Sequence, residues 1–230
     1  MKYPIIFLDA DDTLLDFDRS ETCALSDVLR DFGTEPTPML LQRYKHINRA
    51  AWEAFERGEI EKETMLWKRF ETFFAQNGIS GDPVRANRQY HDRLGGYAFV
   101  LPGAEELCRT LRESGRRLYV LTNGTASVQK RRMAASGLLP YLGAVFISEE
   151  IGVQKPAAAY FERVFAALGQ PSKADCILLG DSQSSDMAGA KGFGIACCWF
   201  CPHGGQAKDR WDYQISRLSD FAGILKGASV

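Results

Sequence analysis

The sequence predicts an α/β protein, a doubly wound parallel sheet carrying an inserted all-helical domain. Three observations carry that expectation. Continuous apolar runs recur at 5–8, 118–121, 144–147, 176–179 and 195–200, each ending in polar or small residues, as strands buried on both faces of a parallel sheet do. Helix-period segments at 105–113, 127–136, 157–168 and 186–192 separate the later runs, which gives a βαβα alternation with right-handed crossovers. Between residues 17 and 99 the alternation stops, leaving helical pattern and no strand.

Within that insert each helix has its own signals. Thr37-Pro38 reads as an N-cap followed by proline at the first helical position. Leu41, Tyr44, Ile47, Ala51, Trp52 and Phe55 then follow at three- and four-residue spacing, and Gly58 ends the run. A second helix spans 62–76 with Leu66, Phe70, Phe73 and Phe74 on one face, and a third covers 83–94. These aromatics read as helix-packing core rather than as a substrate box. The expected division is a core domain from 1–16 and 100–230 and a helical domain at 17–99. Hinges fall near 17–19 and 95–103, where Gly95, Gly96, Pro102 and Gly103 gather.

Composition narrows the function classes. At 230 residues the chain suits one large α/β domain or a core with a smaller insert, and 45% hydrophobic with 25% charged residues is ordinary for a globular protein. Twenty-eight Lys and Arg against 29 Asp and Glu give a net charge of -1, so neither a nucleic-acid polymer nor an anionic membrane is an expected partner. Only four apolar residues, Ile5 to Leu8, follow Met1-Lys2-Tyr3-Pro4, too few for a signal peptide core. A cytoplasmic protein, a monomer or weak homodimer, is expected. The six cysteines read as buried reduced thiols. Cys198 and Cys201 form a CxxC with His203 nearby, but zinc would want a second ligand pair and a redox site would open a helix.

In an open parallel sheet ligands bind beyond the carboxyl ends of the strands. The first apolar run ends in Asp9-Ala10-Asp11-Asp12-Thr13, the second in Thr122-Asn123-Gly124, and Lys155-Pro156 lies beyond the third. The fourth runs into Gly180-Asp181-Ser182, with Asp186 shortly after. Carboxylates from Asp9, Asp11, Asp181 and Asp186 would share a small space, and two like charges 4 Å apart repel by roughly 4 kcal/mol at an effective dielectric near 20. Such a cluster needs protonation or a cation, and oxygen-only donors favour Mg2+ when substrate phosphates complete the shell. Each element alone has a plain structural reading as a helix cap or a turn. Their order along successive strand ends is what points to chemistry.

These four elements resemble motifs one to four of the haloacid dehalogenase-like (HAD) phosphohydrolases, at Asp9, Asp11 and Thr13, at Thr122, at Lys155, and at Asp181 and Asp186. The resemblance covers the full chain and implies a Rossmann-like core with a helical cap of the type inserted directly after motif one. More narrowly, Phe7 to Leu14, Thr122-Asn123-Gly124 and Ile147 to Pro156 are similar to pyrimidine 5'-nucleotidases of the YjjG/YfnB type. One departure from the wider family is Asp12, where glycine is common and an acidic residue is typical of the nucleotidase-like branch.

The resemblance implies a Mg2+-dependent phosphomonoester hydrolase with a nucleoside monophosphate as substrate. Asp9 would attack phosphorus to give an aspartyl-phosphate, and Asp11 would protonate the leaving oxygen and then activate water. Thr122, Asn123 and Lys155 would bind the phosphoryl group, with main-chain N–H groups after Thr122 forming a helix-start anion site. Asp9, Asp181, Asp186 and the main-chain carbonyl of Asp11 would hold the metal, with Asp186 acting through a water or orienting Lys155. Phe17, Trp52 and Phe55 could stack on a base. A sugar-phosphate phosphatase, a phosphomutase of the same fold and a phosphate-binding regulatory module stay open as alternatives. The second acid, Asp11, argues against a dehalogenase.

Overall fold

The computed structural model describes residues 1–225. Six strands form one sheet in the order β3-β2-β1-β4-β5-β6, and every pairing is parallel. They are β1 (Ile5–Leu8), β2 (Arg117–Thr122), β3 (Ala144–Ile147), β4 (Cys176–Gly180), β5 (Ala196–Phe200) and β6 (Tyr213–Ile215). The first five sit where the apolar runs place them. The sixth is a three-residue edge strand, too short to stand out as an apolar run.

The helices are α1 (Phe17–Asp31), α2 (Pro38–Glu56), α3 (Lys62–Asn77), α4 (Pro83–Leu94), α5 (Ala104–Glu113), α6 (Ala126–Ala135), α7 (Ser148–Ile151), α8 (Ala158–Ala167), α9 (Ala188–Phe193) and α10 (Leu218–Leu225). The chain divides into two compact units. One comprises Met1–Phe17 with Ala98–Val230, and the other Asp18–Tyr97.

In the sheet-bearing unit, alternate residues of each strand feed opposite cores, because successive side chains on a strand point to opposite faces. Ile6, Leu8, Leu118, Val120, Ile177 and Leu179 pack with Leu107 and Leu111 of α5, Met133 of α6 and Phe221 of α10. Ile5, Phe7, Tyr119, Leu121 and Leu178 pack instead with Tyr160, Phe161 and Phe165 of α8 and Phe193 of α9. Helices therefore cover both faces, and chain order reverses between β1 and β4, the switch point where open α/β sheets bind ligands. Among the described residues no helix is long and apolar enough to cross a membrane. All six cysteines are free thiols, and Cys201 lies in a hydrogen bond from Gln214 Nε2 at 3.0 Å.

The second unit is helical throughout. Thr37 Oγ1 accepts from Leu40 N at 3.3 Å and Asp82 Oδ1 from Val84 N at 2.9 Å, so both prolines that follow stand at the first helical position. Gly78 ends α3 with φ 64°, a left-handed conformation that costs glycine little. Tyr44, Phe70, Phe73 and Tyr90 form the aromatic centre, with ring centroids 5.0–5.7 Å apart. Trp52 and Phe55 pack edge to face beside Met65 and Leu66, as a packing role requires.

The centre of this unit also holds a polar network that an amphipathic pattern does not announce. Buried Arg69 donates to Asn48 Oδ1 and to Leu66 O, and Asn48 in turn donates to Glu21 at 2.6 Å. Arg69 Nη2 meets His91 Nε2 at 3.2 Å, and since a guanidinium can only donate, Nε2 accepts and the ring is neutral. Burial, with Arg69 and Lys62 adding to it, lowers the His91 pKa from 6.5 to about 3. An unfolded chain would protonate this ring below about pH 6.5, whereas the native one stays neutral until about pH 3, so native stability falls as pH drops through that window. His91→Gln is expected to flatten the pH dependence of unfolding between about pH 6 and pH 4, by about 1 kcal/mol per pH unit in denaturant titrations. An unchanged slope would contradict a neutral buried ring.

Candidate active site

The carboxyl ends of the three central strands deliver the chemistry. Asp9 continues β1, its N–H still in the ladder to Leu179 O at 2.9 Å. Thr122 is the last residue of β2, and Asp181 follows the last residue of β4. A tight turn from Gln183 to Met187, wound more widely than an α-helix, swings Asp186 back toward β4. Carboxylate oxygens of Asp9, Asp181 and Asp186 then lie within 4.8 Å of one another.

Lys155 reaches into this group from the loop after α7. Its Nζ, in a side chain only 1% exposed, donates to Asp9 Oδ1 at 2.7 Å, Asp186 Oδ1 at 2.6 Å and Leu121 O at 2.8 Å. Burial works to lower the lysine's pKa, but Asp186 and Asp9 outweigh it and hold the ammonium charged above its ordinary value. Burial pushes Asp9 well above the usual carboxylate range; Lys155 pulls it back, and Asp186 and Asp11 push it up again. Asp181 is raised for the same first reason, with Asp9, Asp186 and Asp12 adding to it. One lysine thus faces more negative charge than it neutralises. The remaining demand is for a further cation, and an all-oxygen donor set fits a hard divalent ion.

Asp11 stands apart from that cluster. Its carboxylate pairs with Arg132 through Oδ1 and accepts from Gln129 Nε2 through Oδ2 at 3.0 Å. Its side chain is therefore not among the clustered oxygens. Asp12 adopts φ 55°, the left-handed region that glycine enters at least cost. The aspartate adds a bond that glycine cannot make: Oδ1 accepts the Phe17 N–H at 3.1 Å and ties the loop after β1 to the start of α1.

Thr122 Oγ1 accepts from Gly124 N at 3.1 Å and Gln129 Nε2 at 2.8 Å. With both lone pairs engaged, its proton is what it can donate. Asn123, a proposed phosphate-binding residue, brackets the Lys155 main chain with its side chain, donating to Lys155 O at 2.9 Å and accepting from Lys155 N at 3.0 Å. At the start of α6, Glu149 Oε2 accepts from Ala126 N at 2.8 Å. Ser182 Oγ accepts from Ser185 N at 3.2 Å, a cap for the turn that carries Asp186. Trp199 Nε1 donates to Asp181 O at 2.8 Å and fixes that main chain.

Gln129 and Arg132 were not among the residues singled out from sequence. A signal for them exists. Val128 and Met133 mark the inward face of α6, and the same helical stripe passes through positions 129 and 132, so two polar side chains lie on a buried face.

Residues 3–194 match the hydrolase family described as haloacid dehalogenase-like hydrolase. The chain is 34% identical to pyrimidine 5'-nucleotidase PynA of Streptococcus pneumoniae over 203 residues, 88% of this chain and 86% of that one. It is 30% identical to pyrimidine 5'-nucleotidase YjjG of Escherichia coli over 203 residues, 88% of each. The magnesium-bound crystal structure of the HAD-hydrolase YfnB of Bacillus subtilis superposes with a TM-score of 0.92 at 31% identity, covering 98% of this chain and 99% of that one.

The close approach of Asp186 to β4 generates a prediction. A Cβ on Gly180 would stand 2.7 Å from Asp186 Cβ and closer still to its carboxylate. Gly180→Ala should therefore displace Asp186 from Lys155 and cost about 1–3 kcal/mol, a fall of several degrees in Tm by calorimetry. A melting temperature equal to wild type would show that the turn yields freely.

Proposed function

The chain belongs to the haloacid dehalogenase-like hydrolase family and is a phosphatase, and from that premise we propose that it is a Mg2+-dependent pyrimidine 5'-nucleotidase acting through an aspartyl-phosphate on Asp9. The observation that carries the mechanism is the buried Lys155 ammonium shared by Asp9 and Asp186, beside a second acid, Asp11, held separately by Arg132 of α6.

Asp9, Asp181 and Asp186, with the Asp11 main-chain carbonyl, would hold the Mg2+, which supplies charge neutralisation for the carboxylates and the phosphoryl oxygens. Lys155 engages Asp9 Oδ1 and so sets the rotation of the carboxylate, leaving Oδ2 as the attacking oxygen. Attack forms the Oδ2–P bond as the ester P–O bond breaks. Asp11 gives its proton to the departing oxygen and, as a carboxylate, then takes one from the water that hydrolyses the intermediate. The Thr122 hydroxyl and the Lys155 ammonium donate to the phosphoryl oxygens where charge builds.

Substrate choice rests on the relatives. Two proteins at 30–34% identity over most of both chains are pyrimidine 5'-nucleotidases, so a pyrimidine nucleoside monophosphate is the substrate we assign. We assign base selection to the helical unit, which carries none of the strand-end residues; the YfnB crystal structure reveals interdomain movement in that protein.

Asp9→Asn, which keeps the shape of the side chain but makes it a poor nucleophile, is expected to lose several orders of magnitude in kcat with an unchanged circular-dichroism spectrum. Wild-type hydrolysis should stop in EDTA, return with Mg2+ and be inhibited by Ca2+, whose larger shell misplaces the oxygens. In kcat/KM, dUMP and dTMP should exceed glucose 6-phosphate. Full activity in the chelator would contradict the metal site, and a preference for the sugar phosphate would overturn the nucleotidase assignment.

A further inference from the structure

Arg132 is fully buried, and its guanidinium pairs with Asp11 Oδ1. Burying a guanidinium costs desolvation that its pairing with a partly exposed carboxylate does little more than offset, and an apolar side chain of similar bulk could pack there without that cost. Its partners indicate what it does instead. One turn earlier on α6, the Gln129 amide donates to both Asp11 Oδ2 and Thr122 Oγ1, while its Oε1 accepts from Arg132 at 3.1 Å. On another side the Phe17 ring lies 5.6 Å from the guanidinium carbon. Both carboxyl oxygens of Asp11 are therefore gripped from one helix, and the same amide reaches the Thr122 hydroxyl.

We propose that Arg132 and Gln129 are positioning residues that hold the Asp11 carboxyl group against the leaving oxygen, so that the clamp matters in proportion to the leaving group's need for a proton. The inference rests on the proposed phosphatase mechanism, with Asp9 as nucleophile and Asp11 as acid. When the Asp9–P bond forms and the ester bond breaks, the electron pair passes to the leaving oxygen, which takes the proton from Asp11. The guanidinium engages Oδ1, so Oδ2, whose partner is a neutral amide, is the oxygen from which the leaving group would take the proton. A nucleoside 5'-alkoxide is strongly basic and departs poorly without that proton. The p-nitrophenolate ion is weakly basic and departs without it.

The test is kcat/KM for wild type, Arg132→Gln, Arg132→Lys, Gln129→Met and Asp11→Asn with dUMP and with p-nitrophenyl phosphate. This parameter covers the steps up to departure of the leaving group, so hydrolysis of the intermediate, in which Asp11 also acts, does not enter. Arg132→Gln should lose at least about tenfold more on dUMP than on the aryl ester. Asp11→Asn should show the same bias more strongly, and Arg132→Lys should fall between Arg132→Gln and wild type. Gln129→Met keeps the buried charge and reads the same ratio if Arg132→Gln does not fold. Equal losses on the two substrates in the Arg132 and Gln129 variants, with the bias kept in Asp11→Asn, overturn the clamp alone. Equal losses in Asp11→Asn overturn the acid assignment and the clamp with it. If wild type refuses dUMP but accepts another alkyl phosphate, the nucleotide assignment fails while the clamp is read on that ester.

Discussion

Burying the Lys155 ammonium would cost several kcal/mol unless its charge and its hydrogens were all met, and Asp9, Asp186 and Leu121 O meet them. That requirement organises the site. Asn123 fixes the lysine's main chain from both sides, the wide turn at Gln183–Met187 brings Asp186 within reach, and Gly180 gives that carboxylate room. The sheet makes the meeting possible, since β1, β2 and β4 lie side by side at the switch point and end at the same level. A parallel sheet with covered faces is what allows an ammonium so little exposed.

A second frame stands beside the first. Helix α6 sets Asp11 and Thr122 through Gln129 and Arg132, while the Lys155 group sets Asp9 and Asp186. The proposed nucleophile and acid, Asp9 and Asp11, are only two residues apart in the chain, yet they answer to different partners. Separate partners let two neighbouring carboxylates take different chemical roles, one shared with an ammonium inside the cluster and the other aligned outside it. Asp12 adds the link from this loop to the start of α1.

The parts of the structure that were legible in the sequence are those with a local signature. Five strands appear as continuous apolar runs because both faces of the sheet are covered, and the proline and cap residues of α2 and α4 mark their own starts. Asp9, Thr122 and Asp181 stand out because each lies at the end of an apolar run, and Lys155 because Lys155-Pro156 lies in the loop beyond the third run. What escaped has no such signature. The edge strand β6 is three residues long. Asn123 belongs to the right motif, but its bonds to Lys155 span 32 positions and depend on the assembled fold. Arg132 and the Arg69 network are charges on buried helix faces, which pattern reading assigns to solvent.

The central claim is that the Lys155 charge and the Asp186 carboxylate are retained for each other, and it is tested most directly by a double-mutant cycle on stability. Lys155→Met, Asp186→Asn and the double variant would be unfolded in denaturant without added metal. Removing Lys155 leaves two buried carboxylates without their shared cation and typically costs about 3–5 kcal/mol, whereas Asp186→Asn leaves Lys155 paired with Asp9 alone, and removing both costs less than the sum. We expect a coupling free energy of at least about 2 kcal/mol between the two positions. Single-variant losses that simply add, within about 0.5 kcal/mol, would contradict the account.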